Sequence, residues 1–184
     1  MKSENDPIKN NILSFQGRIH LIRSNKELLS VAEDINSAHI LGFDTETRPS
    51  FKKGQIYKVA LLQLSTQSDA YIIRLHEITN FESLITVFEN TEIIKTGVAI
   101  RDDIITLQKA FKFEPQNFIE LQTLAKKKGL TKFGLKGMSE ELLKGTVTKG
   151  AKMTNWEAPI LTPRQLKYAA TDAWIGLKLF EKLR

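Results

Sequence analysis

The sequence predicts an α/β fold, a mixed β-sheet flanked by α-helices, formed as a single domain over residues 18–184 behind a polar, loosely held N-terminal tail at 1–17. Three observations carry this. The chain has 184 residues, 41% hydrophobic and 26% charged, the composition of an ordinary globular protein with room for one core. Short stretches rich in Val, Ile and Tyr fill its first half, while helical spacing takes over later. Near the end, Thr162, Pro163 and Gln165 supply an N-cap, a first-turn proline and a capping-box partner for one long helix.

In chain order, Arg18 to Arg23 reads as a short strand. Ser24 with Glu27 has capping-box spacing, and Leu28, Leu29, Val31, Ala32 and Ile35 recur at helical intervals, which predicts a helix over 25–37. A strand starts near His39 and runs through L-G-F-D-T-E-T. After a loop at 48–55 containing Pro49 and Gly54, Tyr57 to Ser65 reads as a buried strand and Asp69 to Leu75 as its hairpin neighbour. Phe81, Leu84, Ile85 and Phe88 mark an amphipathic helix, Glu92 to Val98 a strand, and Ile104, Ile105, Leu107 and Phe111 a helix over 101–112. Phe118 to Leu121 gives a last short strand, followed by helices over 121–128, 135–144 and from Thr162 onward.

Composition excludes several chemistries. With no cysteine there is no disulfide, thiolate zinc site or iron–sulfur cluster. No apolar run is long enough to span a bilayer, and the start M-K-S-E-N-D-P lacks a signal-peptide core, so a cytoplasmic protein without membrane contact is expected. The net charge of +6 is concentrated at 121–152, where eight lysines face only Glu140 and Glu141. Such a patch either steers a polyanion or is a solvated helical face.

The candidate chemistry lies in the acids. Asp44 and Glu46, at i and i+2 of a strand, point to one face, where two buried carboxylates repel unless a cation sits between them. Oxygen donors of this kind suit hard divalent ions. Tyr168 and Asp172, four apart in Y-A-A-T-D, share one face of the final helix. Asp102 and Asp103 open another helix, where carboxylates also serve as simple caps. Taken singly, each acid has a structural explanation as good as a functional one.

Together, D-x-E, G-x(5)-D-x(3)-L and Y-x(3)-D resemble the DEDD superfamily of 3′→5′ exonucleases in its tyrosine subclass, with a ribonuclease H-like fold. The likeness extends over 19–184 through F-D-T-E-T, K-V-A-L-L-Q-L-S, G-V-A-I-R-D-D and N-W to Y-A-A-T-D-A-W, and is strongest to the Werner-syndrome-protein exonuclease domain and ribonuclease D. The histidine subclass would place its base at position 167, which is Lys167; Tyr168 marks the tyrosine subclass.

The resemblance implies Asp44, Glu46, Asp103 and Asp172 as ligands of two divalent ions, Mg²⁺ or Mn²⁺, with Tyr168 orienting the attacking water. It places Asp103 rather than Asp102 at the ligand position, and Thr45 and Thr47 at the terminal nucleotide. Lys52, Lys53 and the lysine-rich segment are candidates to follow phosphates, and Phe133 and Trp156 to stack a base, with core packing the better reading of Trp156. The implied partner is a nucleic acid with a free 3′ end, DNA favoured over RNA, and the implied reaction is metal-dependent removal of nucleoside 5′-monophosphates. The alternatives are a ribonuclease D-like enzyme processing RNA 3′ ends, a catalytically silent binding module, or a structural domain with incidental acids. Mg²⁺ or Mn²⁺ is expected to raise the melting temperature, because an ion that binds only the folded chain stabilises it; thermal melts with and without each ion test this, and no shift with either speaks against a preformed site.

Overall fold

Alternation of short apolar strands with amphipathic helices yields one six-stranded sheet in the order β1-β4-β3-β2-β5-β6. The computed structural model describes residues 11–49, 57–148 and 154–184. Its strands are β1 (Arg18–Ile22), β2 (Ile40–Thr47), β3 (Val59–Ser65), β4 (Asp69–Arg74), β5 (Ile94–Gly97) and β6 (Phe118–Glu120). The helices are α1 (Asn25–Asn36), α2 (Glu82–Glu89), α3 (Ile100–Ala110), α4 (Leu121–Lys127), α5 (Leu135–Met138) and α6 (Pro163–Leu183). Strand β3 is antiparallel to β2 and β4, whereas β1 with β4, β2 with β5 and β5 with β6 are parallel. The mixed sheet expected from the sequence is therefore present, with β2 near its middle.

Every residue of β3 and β4 is buried, as the continuous apolar text of both strands requires when helices cover both faces. On one face, Phe43 meets Phe88 and Phe118 edge-on, and Phe81 and Phe111 stack with their centroids 4.6 Å apart. On the other, α6 lays Ala169 and Ala170 against Leu61, Ile72 and Trp156. A third apolar cluster seats Leu121 and Met138 against Ile175 and Leu179 of α6. The start of α6 is the predicted capping box: the Thr162 hydroxyl accepts from the Gln165 N–H at 3.2 Å, and the Gln165 side chain accepts from the Thr162 N–H at 2.9 Å.

Two expectations need correction. The tail is not loose over its described part: Phe15 is fully buried, its N–H donates to the Thr171 hydroxyl at 3.1 Å, and Leu13 N–H donates to the Thr146 carbonyl at 2.8 Å. Polar composition concealed one aromatic anchor in that stretch. The helix expected over 135–144 breaks after one turn into a wider π-helical turn, Ser139–Leu143. There the Ser139 hydroxyl donates to the Leu135 carbonyl at 2.7 Å and perturbs the local ladder. Among the described residues, no helix is long and apolar enough to cross a membrane.

Helix α6 touches β2 at one glycine. A Cβ on Gly42 would stand 1.9 Å from the carbonyl oxygen of Ala173, so neither element leaves room for a side chain. Gly42→Ala is expected to destabilise the protein by about 1–3 kcal/mol or more, since the clash is with backbone that cannot rotate away. Denaturant melts of the wild type and variant measure it, and an unchanged midpoint would show that the two elements are not locked there.

Candidate active site

Alternation along β2 sends Phe43 into the aromatic core and the flanking acids to the opposite side, beneath α6. The fit at Gly42 brings α6 close enough for Tyr168 and Asp172 to meet them. Asp44, Glu46 and Asp172 each offer a carboxylate oxygen within 4.8 Å of the others. These acids and Tyr168 line a cavity of about 500 Å³, whose lining also includes Gly134, Leu135 and Lys136 at the start of α5. The lysine-rich segment therefore contributes a residue to the lining of an acidic cleft, with the Lys136 ammonium 3.7 Å from Glu140.

Asp103 stands slightly apart from that group. Its Oδ1 accepts a 2.6 Å hydrogen bond from the Thr45 hydroxyl, across from β2 to α3. It is half-buried, whereas Asp102 is exposed, so the fold itself separates two acids that the sequence presents side by side. Asp103 is still close enough to raise the proton affinity of Asp44. Thr45, expected at the terminal nucleotide, thus has its hydroxyl committed to Asp103, while its backbone N–H donates to Asp44. Thr47 is exposed at the strand end, where the β2–β3 register slips between Glu46 and Thr47. Lys52 and Lys53 lie outside the described residues, as do Lys149 and Lys152.

Burial, then the negative charges of Asp172, Glu46 and Asp103, push the Asp44 carboxyl well above the ordinary range, opposed only by the Thr45 N–H. Burial, with Asp102 and Glu120 behind it, also raises Asp103, and the Thr45 hydroxyl works against that shift. Tyr168 is raised further still, first by burial and then by Asp172 and Glu46. Its hydroxyl donates to the Asp172 carboxylate, which further favours the neutral phenol. Trp156 is fully buried and packs against Tyr168 with ring centroids 6.0 Å apart, so it supports the phenol from behind and is not free to stack a base. Phe133 is half-buried with the Lys126 ammonium 5.5 Å from its ring centre.

This donor set fits a divalent cation. Convergent carboxylates that burial forces toward protonation are hard oxygen donors whose repulsion a dication removes. One further residue at the site's edge was not singled out by sequence. Glu120, at the end of β6, turns its carboxylate back onto the N–H groups at the start of α3. Its only sequence signal is an acid at a strand-to-helix junction.

Residues 19–184 match the family described as 3′-5′ exonuclease. The chain belongs to that family. The chain is 32% identical over 181 residues to the bifunctional 3′-5′ exonuclease/ATP-dependent helicase WRN of Mus musculus, an alignment covering 93% of this chain and 13% of the mouse protein. It is 29% identical over 166 residues to ribonuclease D of Haemophilus influenzae, covering 89% of this chain and 41% of that one. Among solved structures, Escherichia coli RNase D, an exoribonuclease involved in structured RNA processing, superposes with a TM-score of 0.82 at 28% identity, over 90% of this chain and 44% of that chain. The chain thus spans less than half the length of each of these relatives. Fold and family agree with the ribonuclease H-like, DEDD-type reading of the motifs.

The raised acids give a signed pH dependence. A carboxyl whose folded pKa lies above its unfolded value holds its proton longer in the native state. Its stabilising contribution is complete below the unfolded value near 4 and is lost as pH rises through the folded value. In the metal-free protein, Asp44→Asn is therefore expected to melt higher than the wild type at pH 8, with the gap closing toward pH 4. Melting curves in chelator across that range check it; a gap that does not change with pH would show that Asp44 is not held up by its surroundings.

Proposed function

We propose that the exonuclease hydrolyses the terminal phosphodiester at the 3′ end of a nucleic acid, DNA by preference, releasing nucleoside 5′-monophosphates one at a time. The observation that carries this is the convergence of Asp44, Glu46 and Asp172 within 4.8 Å, with Tyr168 donating onto one of them. The preference for DNA rests on the closer text and longer alignment shared with the mouse helicase–exonuclease than with ribonuclease D.

Asp44, Glu46 and Asp172 would hold divalent ions, Mg²⁺ or Mn²⁺ as a pair, with Asp103 reaching the same region from α3. Such ions neutralise the phosphate oxygens and make the attacking water more acidic. In the reaction a water oxygen forms the new bond to phosphorus, the bond from phosphorus to the 3′-oxygen of the penultimate nucleotide breaks, and the shortened strand keeps a 3′-hydroxyl. Tyr168 remains protonated throughout the working range, so it cannot serve as the base. It donates its own proton to Asp172 and leaves an oxygen lone pair to accept a hydrogen bond from water, which fixes the angle of attack. Lys136 lines the same cleft and would reach a phosphate bound there from its ion pair with Glu140 at 3.7 Å. Thr45 holds Asp103 at the edge of the site, and Thr47, with Lys52 and Lys53, would contact the terminal nucleotide and the strand behind it.

The test uses 5′-labelled single-stranded and recessed-end DNA beside matched RNA, with Mg²⁺, Mn²⁺ or chelator. A ladder shortening from the 3′ end only with metal is expected, absent in Asp44→Ala. Tyr168→Phe should reduce kcat by about 10²-fold by freeing the water, with little change in KM. Asp103→Asn should abolish shortening and Asp102→Asn should spare most of it. Salt-sensitive binding without shortening under every metal condition would leave a binding module instead.

A further inference from the structure

The first N–H groups of α3 have no cap of their own. Ala99, just before the helix, has no polar side chain, and it lies in the left-handed region at φ 62°, ψ 35°, a strained place for a residue with a Cβ. The acceptors come from β6 instead. Glu120 lies alongside Gly97 in the parallel β5–β6 register, and its carboxylate reaches back to the turn. Oε1 accepts from the Ala99 N–H at 2.9 Å and Oε2 from the Ile100 N–H at 2.8 Å. Oε1 also accepts from the Gln122 N–H at 3.0 Å, so one carboxylate caps two helices.

Within its first turn, α3 carries Asp103, whose carboxylate meets Thr45 on β2 at 2.6 Å. A helix moves as a rigid body, so a displacement of its first turn is passed directly to that carboxylate. A neutral amide at position 120 would not serve, because three converging N–H groups need acceptors on both arms of the fork and an amide presents one.

We propose that Glu120 is a positioning residue for Asp103: by capping α3 from β6 it fixes the turn at Ala99 and so where the Asp103 carboxylate stands relative to Asp44. The role in turnover rests on the exonuclease reading of the site; the role in geometry does not.

The experiment compares wild type and Glu120→Gln by kcat and KM on 5′-labelled strands. It also follows melting temperature and, at one pH in metal-free protein, the ¹³C carboxyl resonance of Asp103 in the wild type and Glu120→Gln. Glu120→Gln is expected to move that resonance and to lower kcat roughly 10-fold or more, with KM within about twofold. An unmoved Asp103 resonance, or an unchanged kcat beside a lowered melting temperature, overturns the proposal and leaves Glu120 a structural cap. If the wild type shortens no strand, the exonuclease reading fails separately, and the resonance alone decides for or against Glu120. Should Glu120→Gln not fold, Glu120→Asp, which keeps both oxygens on a shorter arm, carries the same readouts.

Discussion

The contact between α6 and β2 sets the position of every acid in the cleft. At Gly42 the helix backbone comes so near the strand that a Cβ would overlap the Ala173 carbonyl, and a turn later Gly176 lies with its Cβ position 3.1 Å from the Thr96 carbonyl oxygen on β5. Small residues at these points let the helix lie directly on the sheet, with Ala169 and Ala170 completing the flat face. Asp44 and Glu46 extend beyond Gly42 on the same strand, and Asp172 directly precedes Ala173 on the helix. Their convergence is therefore a consequence of backbone packing, fixed before any side chain chooses a rotamer.

That geometry has an electrostatic cost. Burial and mutual repulsion both favour protonation at Asp44, and the only opposing influence is one backbone N–H. The fold accepts the cost because its driving force lies elsewhere, in two fully buried strands and an aromatic cluster on the far face of the sheet. Thr45 joins the two halves of the site: its N–H serves Asp44 on its own strand and its hydroxyl serves Asp103 across the gap. A threonine between two acids of a D-x-E motif is thus a structural element of the charge cluster, and its methyl and hydroxyl are not interchangeable there.

Much of this was legible in the sequence because it depends on local periodicity. The two-residue spacing of Asp44 and Glu46 and the four-residue spacing of Tyr168 and Asp172 each dictate a shared face, and the cap at Thr162 locates the helix that carries the second pair. What was not legible depends on contacts between distant segments. Nothing near Asp103 shows that its partner is Thr45, 58 residues earlier, and nothing in the polar N-terminal text shows that Phe15 is buried against Thr171. The break at Ser139 escaped for the opposite reason, since one side-chain hydroxyl outweighed an otherwise helical pattern.

The commitment of Thr45 also narrows how the site would tell DNA from RNA. Discrimination at a sugar needs a polar group, or a steric wall, free to meet the 2′-position. The Thr45 hydroxyl is already donating to Asp103 at 2.6 Å, so it would meet a sugar only through its lone pairs, as an acceptor from a 2′-hydroxyl. The phenol of Tyr168 is likewise engaged with Asp172. At the end of β2 stands Thr47, exposed beside the register slip between Glu46 and Thr47. On the proposed reading, sugar preference would then arise at the rim of the cleft, while the buried groups deeper in it would act on the phosphate, which DNA and RNA share.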